Sequence, residues 1–213
     1  MRIRIPVARE GWPFILIGLL FLFASIVAGY RVPAFLFGIA TIGVALFFRD
    51  PERKIIRDGN VILSPADGRI LQICTPQGKE ADSAPSQEIR IFMSVLNCHI
   101  NRIPLSGKIV KCEYNPGKFL PAFREKASEL NEQNTLLLAT DSMQIGIRQI
   151  AGLIARRIVC RVKPGDLVEQ GNRFGLIRFG SRVDLFLPSQ VEILVKPGQK
   201  VKSGLTPIAR IKR

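Results

Sequence analysis

The stretch Val162-Lys163-Pro164-Gly165-Asp166-Leu167-Val168-Glu169-Gln170-Gly171 decides the fold, because it returns as Val195-Lys196-Pro197-Gly198-Gln199-Lys200-Val201-Lys202-Ser203-Gly204. Six of the ten positions are identical, at an offset of 33 residues. In each copy Pro-Gly suits the centre of a type II turn, and the last glycine suits a second turn. The repeat therefore predicts two similar turn units within one β-rich body.

Short apolar runs bounded by Gly and Pro extend this prediction along the chain. The predicted strands share a high content of β-branched residues and are Arg69–Ile73, Glu88–Phe92, Lys108–Val110 and Arg157–Cys160. The polar segment Lys79–Gln87 predicts a hairpin loop, and Pro121–Leu130 predicts a short helix. We expect a mainly β fold, with a body resembling a β-sandwich or barrel and one short helix.

Turns of the form Gly-x-x-Val-x-x-Gly also build the flattened β-sandwiches of biotinyl and lipoyl carrier domains, which this repeat resembles. Those carriers present a lysine on a hairpin between two such halves. The interval Asn172–Leu194 contains no lysine, so a carrier function is disfavoured while a related sandwich is not. The same interval contains the dipeptide Gly180-Ser181.

The N-terminal quarter of the chain has a different composition. Gly11–Tyr30 and Val32–Phe48 carry no charge, and only Arg31 separates them. A membrane-spanning helix needs about 20 apolar residues. Residues 1–50 therefore predict a two-helix transmembrane hairpin, and residues 51–213 a separate body. The alternative is a hairpin buried inside a soluble fold; a cleaved signal peptide fits less well, because a second apolar run follows at once.

Charge sets the orientation and suggests a partner. Arginines cluster before the first apolar run and after the second, which by the positive-inside rule places both ends of the hairpin in the cytoplasm, at the inner membrane. The chain carries +14, of which +11 belongs to residues 51–213. A basic body beside a bilayer favours anionic lipid head groups. Nucleic-acid binding is the rival, without a helix-turn-helix or zinc-ligand spacing to support it; a solvated basic surface is the third reading.

The four cysteines, Cys74, Cys98, Cys112 and Cys160, are widely spaced, and no Cys-x-x-Cys occurs. With a single histidine in the chain, this spacing argues against a metal site. Reduced structural cysteines fit a cytoplasmic body.

Gly180-Ser181 is the most reactive pair that the sequence offers. Glycine leaves its carbonyl uncrowded, and the adjacent serine hydroxyl can act as a nucleophile toward it. An ordinary turn or bulge is the alternative. His99 is the single side chain that titrates near neutral pH without perturbation. Asp67 lies in a turn before a strand, and Asn131 and Asn134 lie in a polar cluster; each of these also fits a structural role.

Taken together, ordered motifs over about Leu63–Pro188 resemble the phosphatidylserine decarboxylases, in their shorter membrane-associated proenzyme form. The motifs are Ser64-Pro65-Ala66-Asp67-Gly68-Arg69, Phe92-Met93-Ser94-Val95-Leu96-Asn97-Cys98-His99, Asn131-Glu132-Gln133-Asn134, Gln149-Ile150-Ala151-Gly152-Leu153-Ile154-Ala155-Arg156-Arg157 and Phe179-Gly180-Ser181-Arg182-Val183-Asp184.

The resemblance implies that Ser181 attacks the Gly180 carbonyl and that β-elimination then leaves a covalent pyruvoyl group, the only cofactor, at Ser181. Two chains result, residues 1–180 and 181–213, which stay associated. The pyruvoyl group forms a Schiff base with phosphatidylserine and acts as the electron sink for its decarboxylation to phosphatidylethanolamine. His99 is expected to aid protonation or decarboxylation, and Asp67 to help activate the serine.

Two positions depart from the family pattern. Longer members carry a second histidine where this chain has Arg102, so the general base for self-cleavage is left open. Arg182 follows the serine where longer members often have threonine, and a guanidinium there suits a carboxylate or phosphate. Asn131, Asn134, Arg102 and Arg182 are therefore the expected substrate-binding residues, and a homo-oligomer is compatible with the sequence. A membrane-tethered β-sandwich adaptor without catalytic activity is the alternative function.

Overall fold

The computed structural model describes residues 6–74, 87–117, 131–152, 157–178 and 181–212. The chain forms two compact units, Met1–Glu52 and Arg53–Arg213. Two expected features lie outside the described residues: the short helix over Pro121–Leu130, and the loop over Lys79–Gln87 apart from its last residue.

The N-terminal unit contains the two apolar helices that the sequence predicts, α1 (Trp12–Val27) and α2 (Arg31–Phe47). Most of their apolar side chains are exposed, as a lipid-facing surface requires. With the preceding 3-10 turn, the first helix runs over Arg9–Val27, which is long and apolar enough to cross a membrane. The second is shorter by that measure, so the helices are confirmed and a span is supported for the first.

The body is built from strands, as expected. Their bounds are β1 Val61–Leu63, β2 Gly68–Cys74, β3 Gln87–Met93, β4 Ile100–Arg102, β5 Gly107–Asn115, β6 Gln133–Ala139, β7 Gln144–Ile150, β8 Ile158–Cys160, β9 Leu167–Val168, β10 Arg173–Ile177, β11 Ser181–Leu187, β12 Val191–Ile193, β13 Lys200–Val201 and β14 Pro207–Ile211. The described strands form an eight-stranded sheet, β13-β2-β3-β11-β7-β6-β5-β9, and two three-stranded sheets, β1-β14-β12 and β4-β10-β8.

This strand order has an internal two-fold pattern. The eight-stranded sheet has the same arrangement from either end, and the two small sheets correspond strand for strand. One half, here the continuous half, is β4–β10. The other, the split half, is β1–β3 together with β11–β14. The second half of the duplication is therefore inserted between β3 and β11 of the first.

The repeated turns are the visible trace of this duplication in the sequence. Gly165 and Gly198 have φ of 97° and 84°, the left-handed region that glycine favours. Their N–H groups donate to matching carbonyls, Ile109 at 2.7 Å and Ile70 at 2.8 Å. The flanking segments Pro65–Ile70 and Pro104–Ile109 then prove to be a second repeat, Pro-x-x-Gly-x-Ile, placed equivalently in the two halves.

The hydrophobic core lies on the inner face of the large sheet. Alternate residues of β11, Val183, Leu185 and Leu187, face this core, and the small sheets contribute Ile62 and Ile208 to it. The alternation follows from the period of two along a strand. Ser181 lies on the same inner face by the same alternation, and Arg182 and Asp184 lie on the outer face.

The two halves connect one pair of neighbouring strands in different ways. In the continuous half, a tight hairpin joins β6 to β7, closed by the Thr140 N–H donating to the Met143 carbonyl at 2.8 Å. In the split half, the corresponding strands β3 and β11 are paired from Met93 opposite Ser181, but the whole continuous half separates them in sequence. The chain thus enters β11 at Ser181 after leaving β10, which belongs to one of the small sheets.

Candidate active site

Ser181 is the first residue of β11 and is fully buried. Its Oγ donates to Met93 Sδ at 3.5 Å. Gly180 lies outside the described residues. Burial keeps the Ser181 hydroxyl of the uncleaved chain from solvent, so its nearest reaction partner along the chain is the peptide bond that precedes it. Such intramolecular proximity replaces an encounter between two molecules.

A chain of buried carboxamides leads to the same sulfur. Asn134 Nδ2 donates to Gln149 Oε1 at 3.1 Å, and Gln149 Nε2 donates to Asn101 Oδ1 at 2.8 Å. Asn101 Nδ2 then lies 3.8 Å from Met93 Sδ. We call Asn134, Gln149, Asn101 and Met93 the amide relay. It joins a predicted site residue, Asn134, to the predicted nucleophile.

Register explains why these residues meet. Asn134 pairs with Gln149 across β6 and β7, and Gln149 pairs with Val183 across β7 and β11, so all three lie on the inner face. Sequence analysis did not select Met93 or Gln149 as site residues. The available signal was a polar residue in an otherwise apolar inward series, such as Gln149 after Ile145 and Ile147.

His99 is buried in the segment that follows β3. Its Nδ1 lies 2.9 Å from the Asn97 carbonyl oxygen. Since a carbonyl only accepts, Nδ1 carries the hydrogen in the neutral ring and Nε2 is the basic nitrogen. Asn97 Oδ1 in turn accepts from the Ser94 backbone N–H at 2.8 Å, which fixes this turn. The structure thus holds His99 in one tautomer, two residues from the relay member Asn101.

Asp67 is held by two partners in the described structure. Arg53 donates to both of its oxygens, at 2.6 and 2.8 Å, and the Ser203 N–H donates at 2.7 Å. Asp67 therefore ties Arg53 to a repeated turn, and its help in activating Ser181 stays a prediction.

The expected substrate-binding residues are all buried, and each has a hydrogen-bond partner within the protein. Arg102 Nη1 donates to the Gly171 carbonyl at 2.9 Å, within a repeated turn. Asn131 Nδ2 donates to the Ala151 carbonyl at 2.7 Å, just after β7. Arg182 donates from Nε and Nη2 to the two oxygens of Asp184, both at 2.8 Å. Asn134 alone of the four belongs to the relay.

The outer face of β3 and β11 holds a second charged group. Besides Arg182 and Asp184, Arg90 donates to both oxygens of Glu88, at 2.8 and 3.0 Å. Burial raises the pKa of Asp184 to about 6, against the pull of Arg182. Burial also raises the pKa of Glu88, but the hydrogen bonds and charge of Arg90 outweigh it, so that pKa lies below its ordinary value. This group braces the strand that begins at Ser181.

Within the described ranges, no group of three or more His, Cys, Asp and Glu side chains could hold a metal ion. A cleft of about 710 Å³ lies in the continuous half, between Ser106, Thr140 and Glu169, and none of the predicted site residues lines it. The buried polar chain that reaches Ser181 is therefore the candidate site.

Fold and site together define a class: a mainly β protein whose predicted nucleophile, Ser181, begins a strand, in a chain that also contains two apolar helices. The phosphatidylserine decarboxylase family model matches residues 41–209. The phosphatidylserine decarboxylase proenzyme of Syntrophus aciditrophicus is 48% identical over 95% of this chain and 96% of its own. Those of Desulfotalea psychrophila and Magnetococcus marinus are each 43% identical, over 98% and 97% of this chain and 98% and 95% of their own. The chain belongs to the phosphatidylserine decarboxylase family.

Proposed function

We propose that this chain is a proenzyme that cleaves itself between Gly180 and Ser181, acquires a covalent pyruvoyl group at Ser181, and decarboxylates phosphatidylserine to phosphatidylethanolamine. Family membership supports the activity. The observation that carries the proposal is the placement of Ser181: a fully buried hydroxyl at the first position of a strand, entered from a glycine.

The position fits the group that the family implies. A pyruvoyl carbonyl needs a seat away from bulk water and a backbone that stays in place after cleavage. Ser181 is 0% exposed, and the residues after it pair with β3 on one side and β7 on the other. Once formed, the group supplies an electron sink for the electron pair that is left on Cα when an amino acid loses carbon dioxide.

His99 is the proton carrier in this proposal. Its Nδ1 is committed to the Asn97 carbonyl, so Nε2 accepts and returns a proton. Asp67 and Arg102 take a supporting role, since each holds a repeated turn. Asn131 and Arg182 are retained as substrate-binding candidates only if the head group displaces their present partners, Ala151 and Asp184.

We further propose that the two chains stay associated after cleavage. Residues 181–213 supply β11, β12, β13 and β14, and each of these pairs with a strand of residues 1–180 or with one that does. β11 alone is hydrogen-bonded between β3 and β7. Cutting one peptide bond removes none of these ladders.

The helical segment completes the proposal. Exposed apolar helices hold the protein at the inner membrane, and the basic body on the cytoplasmic side faces anionic head groups. A phospholipid substrate is then drawn from the surface to which the enzyme is attached.

Mass spectrometry of the purified protein under denaturing conditions tests the proposal together with an assay on phosphatidylserine vesicles. We expect two fragments, the smaller starting at residue 181 and lighter than a serine-initiated chain by one ammonia. Ser181→Ala should remain one chain and release no carbon dioxide. An active preparation consisting of intact chains with unmodified Ser181 contradicts the proposal, and an uncleaved, inactive wild type favours the adaptor.

A further inference from the structure

We infer that the amide relay, Asn134–Gln149–Asn101–Met93, positions the Ser181 hydroxyl for self-cleavage. The inference rests on the proposed function and adds residues that assist one step of it. In that step Ser181 Oγ bonds to the carbonyl carbon of Gly180, the bond from that carbon to the Ser181 nitrogen breaks, and the hydroxyl proton passes to that nitrogen.

The relay has one direction. Asn134, Gln149 and Asn101 each donate toward Met93, and Ser181 donates to the same sulfur from the other side. Exposure of the four polar residues is between 0% and 2%. A buried polar group that loses its hydrogen-bond partner is costly, so the four groups are held as a unit.

A thioether suits this task. Methionine sulfur is a weak acceptor, so it orients the hydroxyl without withdrawing the proton and without competing as a base. The side chain is unbranched and flexible, so its sulfur needs an anchor. Asn101 is that anchor, and Asn101 is itself held by Gln149.

The local backbone makes room for the relay. Gly175 pairs with Asn101 across β10 and β4. A Cβ at Gly175 would lie 2.2 Å from the Val159 carbonyl oxygen and 3.0 Å from Gln149 Nε2. Glycine at this position therefore permits the pairing of β10 with β8 and also leaves room for the Gln149 carboxamide.

The continuous half has an equivalent pair of strand ends, but no predicted nucleophile lies there. There the pair Thr140 and Met143 takes the place of Met93 and Ser181, with methionine and hydroxyl exchanged. The Thr140 hydroxyl donates to the Met143 backbone carbonyl at 3.0 Å, which closes the hairpin. A strong carbonyl acceptor fixes a turn, whereas the sulfur acceptor at Ser181 leaves the hydroxyl reactive.

The test compares Met93→Leu with the matched control Met143→Leu, in the full-length protein in detergent. Processing is followed as the decay of the 213-residue precursor after synthesis. We expect Met93→Leu to slow cleavage about tenfold, the effect of losing one hydrogen bond of ordinary strength, and Met143→Leu to leave it unchanged. A second variant, Asn101→Leu/Gln149→Met/Asn134→Leu, replaces every amide by an apolar side chain and should slow cleavage at least as much.

Melting temperature separates positioning from general damage, because Met93 also touches the position where the pyruvoyl group forms and turnover therefore does not isolate the cleavage step. In a Ser181→Ala background, which keeps every chain whole, Met93→Leu should melt within a few degrees of its parent. Equal cleavage rates for Met93→Leu and wild type overturn the inference, and so does a large fall in melting temperature. A wild type that never cleaves instead overturns the proposed function.

Discussion

The split half and the continuous half each have seven strands, which correspond one to one and pair in the same order. The halves differ in how the chain connects one of these pairs of strands, at a point we call the joint. The continuous half closes it with a hairpin over Thr140–Met143. The split half leaves it open, with Ser181 as the entering residue. Because the strands are already paired across the open joint, the peptide bond before Ser181 contributes little to the sheet and can be cut without loss of the fold.

A second difference concerns charge. Ser106 of the continuous half is equivalent to Asp67 of the split half. Each side-chain oxygen accepts a hydrogen bond from a backbone N–H of its repeated turn, Gln170 for Ser106 and Ser203 for Asp67. Only Asp67 also holds an arginine, Arg53. The outer face follows the same rule. The split half carries Glu88 and Arg90, where the equivalent positions are Thr135 and Leu137. At these three pairs of equivalent positions, the split half has charged side chains where the continuous half has neutral ones.

The largest expected effect comes from breaking the buried pair of the split half. Asp184→Asn removes the negative charge that pairs with Arg182, whose side chain is 1% exposed. We expect the free energy of unfolding of the body to fall by about 3–5 kcal/mol, because a buried charge loses its ion-pair partner. Denaturant unfolding in a Ser181→Ala background, which keeps the chain whole, measures it. The apolar double variant Arg182→Met/Asp184→Leu should recover most of the loss; if it is as unstable as Asp184→Asn, desolvation of the pair is not the cause.

A smaller difference is expected between the equivalent acceptors Asp67 and Ser106. Asp67→Ala removes charge-assisted hydrogen bonds and should cost about 2–3 kcal/mol, whereas Ser106→Ala removes one neutral bond and should cost about 1 kcal/mol. The same unfolding assay compares them. Equal costs would show that Arg53 adds nothing to the turn, and that the two halves are braced alike.

The smallest effect is a dependence on pH. The folded-state pKa of Glu88 lies below its ordinary value of 4.5, so Glu88 contributes stability above that value and loses it as the pH falls through the folded-state pKa. Asp184, whose pKa is raised to about 6, acts in the opposite direction over the same range, so the quantity to measure is the difference in unfolding free energy between the wild type and Glu88→Gln, in steps from about pH 6 to pH 3. That difference should shrink on acidification. Thr135→Val, at the equivalent position, is the control and should follow the wild-type curve.

Much of the fold was predictable because its signals are local. Gly165 and Gly198 predicted two turns, short apolar runs bounded by Gly and Pro predicted the strands, and uncharged apolar runs predicted α1 and α2. Gly180-Ser181 was predicted as the cleavage site because of the motifs that accompany it in the sequence. The roles of Asp67 and Arg102 were not predictable in the same way, since their partners Arg53, Ser203 and Gly171 lie far away in sequence.

The sequence by itself determined the turns, the strand-forming segments and the apolar helices, and it predicted the dipeptide Gly180-Ser181 as the site of cleavage, because each depends on residues within a few positions of one another. Only the tertiary structure decided which strands pair, and hence that Asn134, Gln149 and Asn101 line up toward Met93 and Ser181. Pairing is a choice among distant segments, set by burying one face of each strand at once. That choice places the serine at the open joint of a duplicated sheet.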